Sequence, residues 1–291
     1  MSVSPAGNRL LLGIAFMALA VTLFPFLNAS VKYLTADYPT WQIVWARYAG
    51  HLLFMIILFA PSHGTTLFRT RSLGIQFGRS LLLLSSTALY FTALTYISMP
   101  TAASISFTSP FIVVALSVPL LGEKVGPRRW GAVAIGFLGA LLIIRPGGED
   151  THWAVLLVVA NASCYALYQV LTRRVAGVDS PETTITLTAV VGTAVACVIA
   201  PFDWRMPQEA LHWALFAGVG LFGGLGHYFV VKAFQYAEAS AVAPIGYGQL
   251  VGAVVLGYLV FGDFPDLMTW LGAAVIVGCG LYIAVRERKA A

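Results

Sequence analysis

The stretch LLGEKVGPRRWGA at residues 120–132 recurs in outline 140 residues later, as VFGDFPDLMTWLG at residues 260–272. In both copies a glycine and an acidic residue end a long apolar run, and a tryptophan follows eight residues after the glycine. The same shift aligns residues 93–147 with residues 233–287 without a gap. The matched pairs are Ala93 and Ala233, Tyr96 and Tyr236, Ala103 and Ala243, Gly122 and Gly262, Glu123 and Asp263, and Trp130 and Trp270. These matches predict two copies of one unit.

Similar shifts connect the earlier parts of the two units. A shift of 141 or 142 residues pairs Phe24 with Tyr165, Asn28 with Gln169, Lys32 with Arg173 and Pro39 with Pro181. We therefore divide the chain into a first repeat, residues 1–147, and a second repeat, residues 148–291.

The composition is that of a membrane protein. Hydrophobic residues make up 59% of the chain and charged residues only 10%, with a mean hydropathy of +0.83. A helix needs about 20 mainly apolar residues to cross a bilayer, and charge-poor stretches of that length occur ten times. The predicted spans are 10–33, 40–60, 73–97, 101–121, 128–146, 152–172, 183–201, 209–235, 240–261 and 266–285. The first span lacks a convincing cleavage site, so we expect it to be retained rather than removed as a signal peptide.

The distribution of basic residues predicts the orientation. Lys and Arg side chains bias the loops that contain them toward the cytoplasm. They concentrate before span 1, between spans 2 and 3, between spans 4 and 5, after span 6 and after span 10. We therefore expect a multi-pass protein of a bacterial inner (plasma) membrane, with both termini in the cytoplasm. The net charge of +5 follows from this orientation and indicates no nucleic-acid partner.

Five spans in each repeat imply that the second copy enters the membrane from the opposite side. Inverted repeats related by a pseudo-twofold axis in the membrane plane are typical of secondary transporters, whose substrate sites lie near the midplane between the repeats. The repeat therefore predicts transport.

The order and spacing of these features resemble the drug/metabolite transporter superfamily, in its EamA-type ten-helix form. The resemblance covers the whole chain. It rests on an aromatic residue before a lysine in span 1, an arginine after a proline in span 2, and small residues, a proline and a Gly-Glu turn in span 4. These are Phe24 and Lys32, Pro39 and Arg47, and Ala102, Pro110, Gly122 and Glu123.

The resemblance implies an all-α membrane protein whose ten transmembrane helices form two inverted-topology five-helix repeats. Within the superfamily, the aromatic-rich interior of this chain is most similar to that of the amino-acid exporters, including exporters of aromatic amino acids. The implied function is export of small amphipathic metabolites by alternating access around a central cavity. The chain departs from the family at Phe24-Pro25 in span 1 and at Leu250, where a second proline of span 9 is usual; both differences fall on helices expected to line the pathway.

The stretch SISFTSPFIVV, residues 104–114, predicts a bend in span 4. Pro110 cannot donate a hydrogen bond to the carbonyl group of Ser106 and crowds it. In a helix bundle, hydroxyl groups, water or neighbouring helices can satisfy that carbonyl. The hydroxyl groups therefore face a hydrated cavity, or alternatively they bond back to their own helix or let helices pack closely.

Other spans carry aromatic, amide and hydroxyl groups at a similar depth, a combination that suits an amphipathic solute. Each aromatic residue has a packing or lipid-facing role as its alternative. The candidate substrate-binding residues are Phe24, Asn28, Ser86, Tyr90, Phe107, Ser109, Asn161, Tyr165, Gln169, His227, Tyr247 and Gln249. The candidate hinges are Pro25, Pro110 and Pro244.

Buried charge is the most informative feature because it is costly within a bilayer. Arg47, seven residues into span 2, is expected to bond to backbone carbonyls, or alternatively to bind a substrate carboxylate. Lys32 and Arg79 are expected to extend to the membrane interface. His227 follows the close-approach glycines Gly220 and Gly224 and either packs in the core or borders the cavity.

All twelve carboxylates lie at or near predicted helix ends, so no proton relay is apparent. We therefore expect a facilitator or exchanger rather than a carboxylate-based proton antiporter. The alternatives are a carrier of another metabolite or drug class, or an intramembrane transferase. Transferase chemistry would require paired acidic residues or clustered histidines. We expect no enzymatic activity, no cofactor, no metal site and no required oligomer; the partners are the lipid bilayer and a small-molecule substrate.

Overall fold

The computed structural model describes residues 5–122, 125–146, 152–175, 178–237 and 245–290. Helices joined by short turns make up these residues. The α-helices are α1 (Pro5–Leu34), α2 (Thr40–His63), α3 (Leu73–Leu94), α4 (Met99–Ser106), α5 (Ser109–Leu121), α6 (Pro127–Ile144), α7 (Val155–Val175), α8 (Pro181–Ile199), α9 (Ala210–Tyr236), α10 (Gly248–Phe261) and α11 (Leu267–Ala290).

The helices confirm the predicted ten-helix fold. Among the described residues, eight helical segments are long and apolar enough to cross a membrane, with α4 and α5 counted together. Two shorter apolar helices, Gly248–Phe261 and Leu267–Ile283, occupy the last two predicted spans. Residues 240–244 of the predicted ninth span, and the predicted repeat boundary at 147/148, lie outside the described residues.

The two repeats end their fourth spans in the same way. Gly122 and Gly262 terminate α5 and α10 in the left-handed conformation, with φ of 70° and 72°. A residue with a Cβ atom is disfavoured in this conformation, so glycine is the usual residue at such a helix end. The repeated glycine in the sequence therefore marks a repeated backbone requirement.

The most extensive contacts between helices of different repeats have counterparts, in which the equivalent helices of the two repeats change places. Helix α1 packs on α9 and its repeat equivalent α7 packs on α3, while α2 packs on α9 and its equivalent α8 packs on α3. The pairs α2–α8 and α6–α11 each join equivalent helices of the two halves. This pattern is the one that a pseudo-twofold axis produces.

Glycines allow two of these pairs to approach closely. A Cβ atom on Gly220 of α9 would lie 2.7 Å from the Cα atom of Gly50 in α2. A Cβ atom on Gly272 of α11 would lie 2.5 Å from the carbonyl oxygen of Gly139 in α6. The predicted close approach at Gly220 is thus confirmed.

Large apolar side chains cover the outer surface of the bundle. Ile57, Leu138, Val251 and Leu259 are each at least 60% exposed and lie on spanning helices. Such a surface suits hydrocarbon rather than water. The three cysteines, Cys164, Cys197 and Cys279, are free thiols.

Candidate functional site

The fourth span is interrupted where the sequence predicts a bend. Helix α4 ends at Ser106 and α5 begins at Ser109, so Pro110 lies in the first turn of α5, where its missing N–H is tolerated. The break falls at Phe107 and Thr108. The backbone N–H and the hydroxyl group of Thr108 both donate to the carbonyl oxygen of Ile105, at 3.0 and 2.7 Å.

The hydroxyl groups of this stretch bond either within their own helix or to a neighbouring helix. Their contact with a hydrated cavity stays a prediction. Ser104 donates back to the carbonyl oxygen of Pro100 at 2.7 Å, within its own helix. Ser106 instead donates to Oδ1 of Asn161 in α7 at 3.0 Å. The interruption of span 4 thus directs one hydroxyl group toward the second repeat.

The equivalent position in the second repeat has a similar break. Helix α10 begins at Gly248, directly after Tyr247, and the Phe107 and Tyr247 ring centres lie 5.0 Å apart. The two repeats thus bring equivalent aromatic residues into contact. Gln249 is half-buried in the first turn of α10, and Pro244 lies outside the described residues.

Asn161 joins three helices. Its Nδ2 donates to the carbonyl oxygen and the hydroxyl group of Ser86 in α3, at 2.9 and 2.7 Å, while its Oδ1 accepts from Ser106. Both Asn161 and Ser86 are buried. One turn beyond Tyr165, Gln169 donates to the hydroxyl group of Ser109 at 3.2 Å. The structure therefore brings these predicted site residues together, as ties between α3, α4, α5 and α7.

Aromatic rings lie next to these ties. The rings of Tyr165 and Tyr168 stack with centres 5.6 Å apart. Tyr90, on α3, is half-buried. On α1, Phe24 meets the ring of His227 edge-on at 5.3 Å, and Asn28 lies one turn further along, also half-buried.

Pro25 does not interrupt its helix. Helix α1 continues from Pro5 to Leu34, and the Pro25 ring packs against Gly252 of α10, where a Cβ atom would lie 2.4 Å away. Its proposed role as a hinge stays a prediction.

Arg47 is buried between α2 and α9, with 5% of its surface exposed. Its Nη2 donates to Nε2 of His227 at 3.0 Å, and its guanidinium carbon lies 4.6 Å from the centre of the Tyr48 ring. The hydrogen bond goes to a histidine, so the expected tie to backbone carbonyls is wrong. The ring of His51, one turn after Arg47, lies parallel to the ring of His227 with centres 6.1 Å apart.

Arg79 does not extend to the interface as expected, since only 1% of its surface is exposed. It donates to the hydroxyl groups of Thr172 in α7 and Thr188 in α8, each at 2.9 Å, and to the carbonyl oxygen of Thr184 at 3.0 Å. The Tyr168 ring lies 4.7 Å from its guanidinium carbon. Arg79 therefore ties the first repeat to the second at the end of the bundle where α3 begins.

Asp179, between α7 and α8, extends this tie. Its carboxylate accepts hydrogen bonds from the side chains of Thr70 and Gln76 and from the backbone N–H of Arg71. Burial raises the pKa of Asp179, but the hydrogen bonds from Gln76, Thr70 and Arg71 lower it by more, so the net pKa is below its usual value. Gln76 in turn accepts from Arg79 at 2.9 Å.

The opposite end of the bundle, where α1 ends, has its own ties. Lys32 donates to the carboxylate of Asp263 at 2.5 Å and to the carbonyl oxygen of Ile97 at 3.1 Å. Lys32 was expected to extend to the membrane interface, but it forms an ion pair with Asp263, in the turn that follows Gly262. Gln42 and Arg205 exchange two hydrogen bonds at the same end, through the amide of Gln42 and the backbone of Arg205.

The hydrogen bonds that join the repeats at the two ends of the bundle were not predicted from the sequence. The signal available for one of them was the pair Gln76 and Arg79, which lie three residues apart on one helix face and can therefore bond to each other. No sequence signal pointed to the pairing of Lys32 with Asp263, which are 231 residues apart.

Partly exposed aromatic rings and neutral polar groups lie at the middle of the bundle, between the Arg79 and Lys32 ties. Within the described ranges, no three His, Cys, Asp or Glu side chains come together as a set of metal ligands.

Comparisons with known proteins agree with this architecture. The EamA-like transporter family model matches the chain twice, at residues 11–145 and 152–286. The chain is 30% identical to a riboflavin transporter of Vibrio cholerae serotype O1, over 95% of this chain and 94% of the relative. It is 27% identical to an S-adenosylmethionine uptake transporter of Rickettsia felis, over 96% of this chain and 95% of the relative.

A crystal structure of a protein 19% identical to this chain has the same fold, with a TM-score of 0.66 over 96% of this chain and 98% of the other. The relatives just named carry riboflavin and S-adenosylmethionine in their names, so the similarity is not specific to amino-acid exporters. The two matches to the family model cover nearly the entire chain. The chain belongs to the EamA-like transporter family and is a membrane transporter of small metabolites.

Proposed function

We propose that this transporter carries neutral or zwitterionic aromatic metabolites, with riboflavin as the first candidate substrate. The contact between Phe107 and Tyr247 carries the proposal, because it puts one aromatic ring from each repeat at the equivalent interruptions of spans 4 and 9. A planar solute inserted there would stack on one ring from each half. The similarity to a riboflavin transporter supports this choice of ring system.

Neutral polar groups near these rings suit the rest of such a solute. Gln169, Ser109 and Asn161 present amide and hydroxyl groups next to Tyr165. These groups hydrogen-bond to carbonyl, imide and ribityl hydroxyl groups without requiring a charge.

Alternating access would proceed by breaking one set of end ties at a time. The Arg79 tie joins α3 to α7 and α8, and the Lys32 tie joins α1 to the turn before α11. Both connect the first repeat to the second, so relative motion of the repeats has to break one of them. The carboxylates at these ties lie at the helix ends, which supports a facilitator or exchanger driven by the gradient of the solute. Export and uptake are then the same cycle run in opposite directions.

Export of aromatic amino acids is the second candidate, and the observation that favours it is the buried guanidinium of Arg47, which suits a carboxylate. We propose no enzymatic activity. We also propose that both termini lie in the cytoplasm.

The test is counterflow in proteoliposomes with riboflavin, compared with L-phenylalanine and L-tryptophan. Tyr247→Ala removes the ring that contacts Phe107 at the interruption. Tyr258→Ala is the matched control, because it removes an exposed ring from α10, the helix that follows Tyr247. Loss of a stacking partner costs about 0.5–1.5 kcal/mol, so Tyr247→Ala should weaken apparent affinity about 2- to 12-fold. Riboflavin and amino-acid counterflow both absent, or equal effects of the two substitutions, would reject the proposal.

A further inference from the structure

The guanidinium of Arg47 is buried without a counter-ion among the described residues. The ion pairs described for this chain lie at the helix ends and involve Lys32, Arg145, Arg205 and His212. A buried charge without an opposite charge is strongly unfavourable. The nearby Tyr48 ring contributes a cation–π contact, which is weaker than an ion pair in a desolvated site.

The histidine that Arg47 contacts does not compensate this charge. Arginine donates hydrogen bonds and does not accept them. The Nε2 atom of His227, 3.0 Å from Nη2 of Arg47, therefore accepts the hydrogen bond. A histidine that accepts through Nε2 is neutral and carries its proton on Nδ1. The positive charge at this point of the bundle thus remains whole.

Two buried nitrogen atoms in this cluster have no hydrogen-bond partner in the part of the chain that the structure describes. They are Nη1 of Arg47 and Nε2 of His51. Both residues are at least nine-tenths buried, with 5% and 3% of their surfaces exposed. They lie four residues apart on α2, and the rings of His51 and His227 are parallel. Buried polar groups are normally hydrogen-bonded, so these two atoms require an explanation, and a bound ligand that accepts hydrogen bonds would supply it.

Two glycines of α9 face these groups. A Cβ atom at Gly223 would meet Cγ of Arg47 at 3.4 Å, and one at Gly224 would meet Cδ2 of His51 at 3.4 Å. Helix α9 therefore packs directly against the arginine and histidine side chains.

We propose that Arg47 and His51 bind one small monovalent anionic group, which is either a chloride ion or the carboxylate group of a solute. The anion accepts hydrogen bonds from Nη1 of Arg47 and from a protonated Nε2 of His51, and it balances the buried guanidinium charge. His227 orients the guanidinium without binding the anion itself. The proposal concerns binding and holds whether or not the transported solute is aromatic.

The test is chloride binding to the purified protein, measured as excess linewidth of the ³⁵Cl NMR signal. We expect the wild-type protein to broaden the signal and Arg47→Gln to abolish the broadening. Arg128→Gln, which removes the same charge from an exposed site, should leave the broadening unchanged. His51→Gln should weaken chloride binding about tenfold, the equivalent of one hydrogen bond to a charged group.

Competition identifies the source of the anion. Displacement of chloride by L-phenylalanine but not by L-phenylalaninamide, which lacks the carboxylate, would assign the site to a solute carboxylate. Broadening that neither compound displaces would assign it to a free anion. The proposal would be overturned if the wild-type protein did not broaden the signal, or if the wild type and His51→Gln broadened it equally. The comparison with His51→Gln can still be made if Arg47→Gln does not fold.

Discussion

The contact between Gly50 and Gly220 allows a quantitative prediction for Gly220→Ala. The added Cβ atom would lie 2.7 Å from the Cα atom of Gly50 and 2.9 Å from the carbonyl oxygen of Ala46. Carbon atoms in ordinary contact are at least 3.4 Å apart. Helices α2 and α9 must therefore separate by about 0.7 Å, the difference between 3.4 and 2.7 Å.

Two opposing effects set the size of the change. Replacing glycine by alanine inside a helix stabilises it by about 1 kcal/mol, whereas overpacking costs about 1–3 kcal/mol. The expected net destabilisation is about 0–2 kcal/mol for Gly220→Ala, and larger for Gly220→Val. The separation would also stretch the 3.0 Å hydrogen bond from Arg47 to His227 across the same pair of helices.

The assay is reversible unfolding of the purified protein in mixed micelles, with transport measured in parallel. Gly78→Ala on α3 is the matched control, because a Cβ atom there meets none of the described residues within 4 Å. It should be neutral or stabilising by up to about 1 kcal/mol. If Gly220→Val is as stable as Gly78→Ala, the close contact between α2 and α9 does not exist as described, and the reasoning fails.

Three further predictions concern the ties. Lys32→Met and Asp263→Asn should each reduce the melting temperature. In a double-mutant cycle, the double substitution should reduce the free energy of unfolding by about 1 kcal/mol less than the sum of the two single effects. Strict additivity of these free energies would contradict the ion pair. The pKa of Asp179 is lowered in the folded protein, so the Asp179 carboxylate contributes its full stability above the unfolded pKa of about 4 and loses it as the pH falls through the folded pKa. In a thermal-unfolding series at acid pH, the melting temperature of Asp179→Asn should therefore fall less than that of the wild type. Equal pH dependence of the two melting temperatures would refute this role. Asn161→Leu removes three hydrogen bonds and leaves partners unsatisfied, so unfolding should show a loss of about 2–4 kcal/mol, whereas a neutral effect would mean that the tie between α3, α4 and α7 is dispensable.

Much of the fold follows from local properties of the sequence. The predicted spans agree with the observed helices because hydrophobic length is a property of each segment alone. The break in span 4 was also predictable, because Pro110 lacks an N–H wherever it is placed, although the break falls two residues earlier than the proline. The candidate site was partly predictable, since Asn161 pairs with Ser86 and Gln169 pairs with Ser109. Their roles in binding stay predictions.

The partners of the buried charges could not be predicted. Arg47, Lys32 and Arg79 were expected to bond to carbonyls or to extend to the interface, and each bonds instead to side chains or backbone atoms distant in the sequence. In a spanning helix that is apolar on most faces, hydrophobic periodicity does not reveal how the helix is rotated in the bundle. Without that rotation, a polar side chain has no assigned neighbour.

The amino-acid sequence by itself determined the number of spans, the duplication and the two left-handed glycine turns, because hydropathy and backbone preference act within a few residues. Only the tertiary structure decided that Lys32 meets Asp263, that Phe107 meets Tyr247, and that no carboxylate of the described residues meets the charge of Arg47. Those outcomes depend on how one repeat packs against the other, and packing brings together atoms that no local pattern relates.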